Sequence, residues 1–257
     1  MITKEGIEKH LKNDFDITVF DCIPSTNTYL KEIAKRGASE GTVVISRSQS
    51  NGKGRLGRSF FSPGGTGIYL SLLLRPDSSC DNALSITVCA AVAASEAIES
   101  VTGVSAKIKW VNDIYCNNKK VCGILTEGQI DPITSHLSFA VLGIGINVHP
   151  PKDGFPKELS DIAGSILPYS ENEDIPNRLT AVFLDNFIEK YRHLGDKSFL
   201  DSYRHRSNLI DKRVRVLNSD TVGTVAGIDE NFRLLLRLDD NSILPLSSGE
   251  VSVREAP

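Results

Sequence analysis

A glycine-rich basic loop between two apolar segments constrains this chain more than any other feature. The loop runs from Ser48 to Arg58 as SQSNGKGRLGR, and it lies between the apolar segments 42–45 and 68–74. Both segments have the length and composition of buried β-strands. Glycines let the backbone approach a ligand closely, and Lys and Arg supply donors and positive charge suited to phosphate or carboxylate. The loop is therefore either a solvated hairpin connection or an anion-binding loop, and its alternating glycines and cations favour the second.

The composition is that of a soluble protein with a sizeable core. Hydrophobic residues make up 40% of the 257 residues, charged residues make up 24%, and the formal net charge is -3. A mildly acidic chain is not expected to bind nucleic acid in general, because nucleic-acid-binding domains are usually basic. The positive charge of the glycine-rich loop is therefore a local feature.

The sequence also argues against secretion, membrane insertion and a metal site of recognisable spacing. The first residues, MITKE, are partly charged, and no apolar run approaches the roughly 18 residues that a membrane span needs. The five cysteines form no C-x-x-C pair, and the five histidines show no metal-ligand spacing. We therefore expect reduced thiols, no metal site by direct motif, and a cytoplasmic protein.

Two parts of the chain differ in the secondary structure that their sequences predict. After Leu209, strand-like segments recur at short and regular intervals, as in a small β-barrel. They are 213–217, 221–228, 232–238 and 243–246. We predict a first domain over residues 1–208 and a second, barrel-like domain over residues 209–257.

Local signals place several elements in the first domain. The triplet Ser25-Thr26-Asn27 predicts the capped start of a helix that ends before Gly37. Residues 83–98 are rich in alanine and apolar on several sides, as expected of a buried central helix. Asn117-Asn118 predicts a hairpin turn between two strands, because both central residues of such a turn need positive φ.

Three clusters besides the loop could bind a ligand, and each also has an ordinary structural explanation. The triplet 25–27 is either a helix cap or a polar group aimed at a ligand. Segments 109–113 and 119–124 contain the only tryptophan, an Asn-Asp pair and three lysines. These residues suit either a turn with a solvated hairpin tip or a ligand site. Glycines in the strand-like segment 143–148 indicate a bulge or a close approach to ligand.

In this order and spacing the four clusters resemble the motifs of the biotin protein ligases. The family pattern has a G-R-G-R-x-G-R loop, a K-W-P-N-D segment, a lysine shortly before G-I, a G-x-G-x-N strand and a C-terminal S-G-E. The resemblance runs from Ser25 to Arg254 and departs at three positions. Lys53 stands where Arg is frequent, Phe60 where Trp is common, and Val111 where Pro is usual.

The resemblance implies a fold and a two-step reaction. The fold is α+β, with a mixed β-sheet and flanking helices like a class II aminoacyl-tRNA synthetase catalytic domain, followed by a small SH3-like β-barrel. The reaction uses ATP and Mg²⁺ to convert biotin to biotinyl-5′-AMP and pyrophosphate. Biotin then passes to a lysine of a biotin carboxyl carrier protein, a subunit of acetyl-CoA carboxylase or of a related biotin-dependent carboxylase.

The resemblance also implies a set of site residues. Those expected to act in catalysis are Lys120, Arg55 and Asp113. Those expected to bind biotin are Ser25, Thr26, Asn27, Gln49, Gly52, Lys53, Gly54, Arg55, Lys120, Gly123, Gly143 and Gly145, the last three as a wall of small residues. Those expected to bind ATP are Arg55, Arg58, Asn112, Lys120, Asn147 and Arg254. Because neighbouring strand residues alternate, we expect Lys120 to face the site and Lys119 to point to solvent.

Two alternative functions stay open at this point, and so do some partners. A lipoate or octanoate ligase or transferase shares the fold but lacks the loop motif, and a non-enzymatic biotin sensor would not need the nucleotide residues. Some family members also carry an N-terminal DNA-binding domain, and nothing before Ser25 is long enough to form one. We therefore expect the single-function class, with no DNA and no membrane partner. The oligomeric state stays open, with a homodimer as one alternative.

Overall fold

Two β-sheets follow one another along the chain in a computed structural model that describes residues 1–76, 83–131, 136–168, 174–217, 219–247 and 253–255. The strands of the first sheet are β1 (Asp16–Phe20), β2 (Thr42–Ser46), β3 (Gly67–Leu74), β4 (Lys107–Lys109), β5 (Asp113–Cys116), β6 (Lys119–Ile130) and β7 (Leu137–Asn147). Their spatial order is β1-β2-β3-β7-β6-β5-β4. β1 and β2 run parallel and the other neighbours run antiparallel. The predicted mixed sheet is confirmed.

Helices cover both faces of this sheet. They are α1 (Lys4–Glu8), α2 (Thr26–Lys35), α3 (Ala83–Thr102), α4 (Ile175–Tyr191) and α5 (Leu200–Arg206). α3 packs on β6 and α4 over the larger core, and α2 packs on β2, β3 and β7 from the opposite face. By length and composition α3 could cross a membrane, but 72% of its most apolar window is buried inside the protein. It is the central helix that its alanine-rich sequence predicts.

The start of α2 and the β5–β6 hairpin follow their local signals. Ser25 Oγ accepts a hydrogen bond from the backbone N–H of Thr28 at 3.4 Å, so Ser25 is the helix cap. Gly37, just beyond the helix end, has a φ of +94°, which a residue with a side chain rarely adopts. Asn117 and Asn118 have φ values of 49° and 61°, as the turn between β5 and β6 requires.

The second sheet is small and antiparallel. Its strands are β8 (Arg213–Val216), β9 (Val222–Ile228), β10 (Leu234–Arg237), β11 (Ile243–Leu246) and β12 (Val253–Glu255), in the order β11-β10-β9-β8-β12. Buried contacts join it to the rest of the chain. Trp110 Nε1 donates to the carbonyl of Phe232 at 2.9 Å, and the Phe232 ring stacks on Phe199 with ring centroids 6.0 Å apart. The predicted boundary at residues 208 and 209 stays a prediction.

The Trp110 contact allows a test of how the second sheet is held. We expect Trp110→Phe to lower the free energy of unfolding by about 1–3 kcal/mol, because it leaves the buried Phe232 carbonyl without its donor. Urea unfolding measures this change. Tyr29→Phe removes a polar group from an aromatic that is 39% exposed, and it should stay within about 0.5 kcal/mol. Equal stability of the two variants would contradict an anchoring role for Trp110.

Candidate functional site

A cavity of about 510 Å³ opens on the α2 face of the first sheet, beside the first turn of α2. Its walls are the start of α2, the glycine-rich loop, the segment between β4 and β5, strands β6 and β7, and residues 155–163. The volume is in the range of small-molecule sites. Five cations line it, namely Lys53, Arg55, Arg58, Lys109 and Lys120. Asp113 is the one carboxylate among the described lining residues, so the cavity suits an anionic ligand.

The glycine-rich loop folds as a narrow hairpin over this cavity. Phe60 N donates to the carbonyl of Gly52 at 2.9 Å, and Gly54 N donates to the carbonyl of Arg58 at 2.7 Å. Residues Arg55–Gly57 form a single 3₁₀ turn, in which Leu56 has a φ of 54° and is 68% exposed. The tip therefore presents backbone and cations rather than apolar side chains that could pack.

Gln49 joins the base of the loop to the start of α2. Its Oε1 accepts from the backbone N–H of Thr26 at 2.9 Å, and its Nε2 donates to Ser62 Oγ at 2.9 Å. Ser25, Thr26 and Asn27 are all at least 96% buried because the loop base and the sheet cover them. These contacts fix the neutral polar end of the cavity.

Arg55 reaches across the cavity to the segment between β4 and β5. Its Nη1 donates to Asn112 Oδ1 at 3.0 Å, while Asn112 Nδ2 donates to the carbonyl of Ile124 at 2.7 Å. The Asn112 amide is therefore held at both ends. Burial lowers the pKa of Arg55, and the negative charge of Asp113 acts in the opposite direction. An arginine so placed stays charged and keeps its guanidinium over the cavity.

Lys120 and Asp113 form an ion pair inside the cavity. Lys120 Nζ lies 2.6 Å from Asp113 Oδ1, and both side chains are about three-quarters buried, with 28% and 25% exposed. Within the part of the chain that the structure describes, this buried carboxylate oxygen has no hydrogen-bond partner of good geometry. The contact is therefore electrostatic, and an anionic ligand can compete with Asp113 for Lys120.

Lys119 does not line the cavity, and its ammonium bonds to backbone carbonyls at the surface. Its Nζ donates to the carbonyls of Ser160 and Asp161 at 3.1 and 2.7 Å. The chain returns there because Lys120 pairs with the segment around Ala163 through backbone hydrogen bonds. Lys119 therefore lies at the surface, where this long-range pairing brings carbonyl acceptors to its ammonium.

The predicted wall of small residues is present but is already partly covered. Gly143 lies so close to the Asn27 amide that a Cβ at this position would overlap it. Gly145 lies beneath the ring of Phe60 in the same way, and a Cβ at Gly123 would lie 3.2 Å from that ring. These glycines line the cavity and also accommodate the neighbouring side chains of Asn27 and Phe60. The expectation that they form a wall for biotin stays a prediction.

Most of the predicted site residues line one cavity. They are Ser25, Thr26, Asn27, Gln49, Lys53, Gly54, Arg55, Arg58, Asn112, Asp113, Lys120, Gly123, Gly143, Gly145 and Asn147. Gly52 instead lines a second recess behind the loop, because Ser62 and the Phe60 carbonyl pack against it. Arg254 lies on β12, and its expected contact with ATP stays a prediction. The S-G-E motif, residues 248–250, falls outside the described residues.

Sequence reasoning missed several residues of the cavity. Lys109 lies over the Tyr115 ring, with its Nζ 5.6 Å from the ring centroid, and both line the cavity. Lys109 is the first residue of the K-W-x-N-D motif, so the motif could have identified it as a site residue. Phe155, Ile162 and Leu217 also line the cavity, and they come from parts of the chain without a motif. Leu217 lies just after β8, which places part of the second sheet at the site.

Comparison with protein-family models gives two matches. The model described as "Biotin/lipoate A/B protein ligase family" matches residues 19–147, and the model described as "Biotin protein ligase C terminal domain" matches residues 209–254. The first covers the loop, the start of α2 and both central strands of the cavity. The chain belongs to the biotin protein ligases. The second match covers most of the small sheet.

Individual relatives agree with this family. The bifunctional ligase/repressor BirA of Bacillus spizizenii is 37% identical over 227 residues, covering 86% of this chain and 69% of the relative. The biotin--[acetyl-CoA-carboxylase] ligase of Mycobacterium tuberculosis is 32% identical over 238 residues, covering 88% of this chain and 85% of the relative. The biotin protein ligase from Aquifex aeolicus, solved in complex with biotin and ATP, is 28% identical with a TM-score of 0.77, covering 94% of this chain and 99% of that one.

Proposed function

We propose that this biotin protein ligase activates biotin with ATP to biotinyl-5′-AMP, releasing pyrophosphate, and transfers biotin to a lysine of a biotin carboxyl carrier protein. The observation that carries the proposal is the cavity itself. It joins a neutral polar end, built from Ser25, Thr26 and Gln49, to a cationic end around Lys120. Biotin has a neutral ureido group at one end and a carboxylate at the other, which matches this arrangement.

In the first step a biotin carboxylate oxygen bonds to the α-phosphorus and pyrophosphate leaves. The carboxylate is already ionised, so the step needs no general base. It needs two anions to be held together, which costs roughly 1–4 kcal/mol in repulsion at a few Å. The positive groups at the cavity, above all Lys120 and Arg55, offset this repulsion and the charge that develops on phosphorus.

Lys120 changes partner in this proposal. In the structure its ammonium is paired with Asp113. The biotin carboxylate and the α-phosphate replace that carboxylate, and Lys120 then touches both reacting groups. In the second step the carrier lysine attacks the acyl carbon of the mixed anhydride, AMP leaves, and the amine loses a proton. Asp113, released from Lys120, is the carboxylate placed to accept that proton or to hold a metal ion.

The residues present fit a Mg²⁺ ion bound mainly by ATP. No group of three or more His, Cys, Asp or Glu side chains suited to a metal occurs among the described residues. Mg²⁺ is usually bound through one or two carboxylates together with substrate phosphates, and Asp113 has a buried oxygen without a well-directed partner. Bound there with ATP, the ion would neutralise phosphate charge. The protein's own contribution is the orientation of Asp113 between β4 and β6.

We assign the remaining residues to biotin or to the nucleotide according to the end of the cavity at which they lie. Ser25, Thr26 and Gln49 bind the ureido end of biotin, with Asn27 holding this end in place through its bonds to Ser71 and Glu127. Gly52, Lys53 and Gly54 lie around the carboxylate of biotin. Arg58, Asn112, Asn147 and Arg254 bind the nucleotide. Support comes from the shared cavity for all but Gly52 and Arg254. For Arg254 it comes from Leu217, which brings the small sheet to the cavity edge.

Several finer features belong to the same proposal. The first sheet with its helices is proposed to be of the class II aminoacyl-tRNA synthetase type, and the small sheet to be SH3-like. The two proposed domains span residues 1–208 and 209–257. A cytoplasmic location, the absence of a DNA partner and a choice between monomer and homodimer stay predictions.

Substrate specificity tests the function. The purified protein with Mg·ATP should release pyrophosphate when biotin is added, and it should not do so with lipoate or octanoate. With a carrier domain present, biotin should appear on a lysine. The physical reason is that an acyl chain without a ureido group would cover the polar end of the cavity at Ser25, Thr26 and Gln49 without offering it hydrogen-bonding groups. Equal turnover of lipoate would favour the lipoate ligases, and binding of biotin without turnover would favour a sensor.

A further inference from the structure

Glu127 on β6 is a partly buried acidic group near the cavity that the proposed chemistry does not use. Its side chain is 24% exposed, and its carboxylate accepts two hydrogen bonds from α2. Asn27 Nδ2 donates to Oε2 at 3.0 Å, and Lys31 Nζ donates to Oε1 at 2.9 Å. Asn27 and Lys31 are one helical turn apart. Glu127 therefore holds the first turn of α2, where the neutral end of the cavity begins.

The Asn27 side chain is fixed at both ends. Its Oδ1 accepts from Ser71 Oγ at 2.5 Å, and its Nδ2 also lies 3.4 Å from the carbonyl of Leu125. Ser71, Gly143 and Leu125 are directly opposite one another across β3, β7 and β6. The amide lies across this row, and the absent side chain of Gly143 makes room for it. Asn27 is 4% exposed, so each of its polar atoms depends on a protein partner.

An ionised carboxylate can only accept hydrogen bonds. Glu127 therefore determines which atom donates in each hydrogen bond of the series that runs through Asn27 and Ser71 to Thr26. The NH₂ of Asn27 must face Glu127, so its oxygen must face Ser71. The single Ser71 proton is committed to that oxygen, since an amide oxygen cannot donate. Ser71 Oγ, 2.8 Å from Thr26 Oγ1, is then an acceptor toward Thr26. The Thr26 hydroxyl therefore donates to Ser71, and its lone pairs remain for a group in the cavity that Thr26 lines.

We propose that Glu127 is a positioning residue for biotin recognition, because it makes Thr26 present an acceptor to the N–H groups of the ureido. This inference rests on the proposed function. The charge state of Glu127 supports it. Burial would raise the pKa of this carboxylate, but hydrogen bonds from Asn27 and Lys31 and the charges of Lys31 and Lys53 lower the pKa overall. Glu127 is therefore ionised at neutral pH.

Glu127→Gln tests the direction of the hydrogen bonds while keeping the size of the side chain. A glutamine amide can donate to Asn27. The Asn27 amide is then free to rotate by 180°, and the Ser71 hydroxyl is free to donate to Thr26 instead of Asn27. We expect the KM for biotin, and the Kd for biotin by calorimetry, to rise about tenfold, while kcat and the KM for ATP stay within about twofold. Lys31→Ala is the matched control, since it removes the ion pair but leaves Glu127 as an acceptor. Its biotin KM should stay within about twofold of the parent.

A second substitution should rescue the first. In the double variant Asn27→Asp with Glu127→Gln, the carboxylate introduced on α2 accepts from both the amide introduced on β6 and the Ser71 hydroxyl. The original direction of the hydrogen bonds therefore returns with the net charge unchanged. We expect the biotin KM of the double variant to return to within about threefold of the parent value. Asn27→Asp alone puts two carboxylates together, and it should bind biotin more weakly than the double variant.

The outcomes separate this inference from the proposed function. A parent protein that neither binds biotin nor releases pyrophosphate with it would overturn the proposed function, and the positioning role with it. An active parent with an unchanged biotin KM in Glu127→Gln would overturn the positioning role alone. So would equal effects of Lys31→Ala and Glu127→Gln, or a double variant that shows no rescue. Thermal melting of each variant confirms that it is folded.

Discussion

Lys120→Ala should slow biotin adenylation by about 10²–10³-fold, the loss found when one preorganised donor to a developing oxyanion is removed. Its ammonium lies 2.6 Å from Asp113, which also lines the cavity. Without it, both the nucleophile and the α-phosphate lose a charge-assisted donor. Stability should change by about 1 kcal/mol or less, because the pair is still about a quarter exposed. Pyrophosphate release and thermal melting measure the two effects.

Lys119→Ala is the matched control in the same hairpin. It removes two hydrogen bonds to the carbonyls of Ser160 and Asp161. The backbone bonds that hold this segment remain, since Lys120 N donates to Ile162 O at 2.8 Å and Gly164 N donates to Lys120 O at 2.9 Å. Activity should stay within a few-fold of the parent. If the two alanine variants lost adenylation to the same extent, Lys120 would not be the lysine that touches the reacting groups.

Structural features that depend only on residues close together in the sequence could be predicted. A serine at a helix start, a glycine just beyond a helix end and an Asn-Asn turn each act through backbone atoms a few residues away. Ser25, Gly37 and the turn at 117–118 accordingly have the predicted geometry. The residues that line the cavity were named through the resemblance, because ordered motifs carry the information that the elements converge.

Contacts between residues far apart in the sequence could not be predicted in the same way. Lys119 meets carbonyls more than 40 positions along the chain, and nothing near Lys119 indicates that they return there. Phe60 lies over Gly145 because the loop hairpin folds back onto β7. The Asn27–Glu127 bond joins residues 100 positions apart. A motif names the residues of a site, but side-chain packing decides which of them face the ligand and which hold a neighbour.

Arg55→Ala is the second change from which we expect a large effect, again a loss of about 10²–10³ in the rate of adenylation. Arg55 brings its guanidinium over the cavity and is held there by Asn112 Oδ1 at 3.0 Å. Arg55→Lys keeps the charge but not the planar fork, so it should recover only part of the rate. Arg36→Ala, an exposed arginine at the end of α2, is the control and should leave the rate unchanged.

The partner of Arg55 shows whether orientation or charge alone accounts for this loss. Asn112 is itself locked by its bond to the carbonyl of Ile124, so it can fix where the guanidinium points. Asn112→Ala should therefore slow adenylation by about tenfold, the cost of one hydrogen bond to a charged group. If Asn112 acts through Arg55, the double variant should be no slower than Arg55→Ala, because groups that act as a unit are not additive. Losses that multiply in the double variant would mean that Asn112 acts independently of Arg55, through its own proposed contact with the nucleotide.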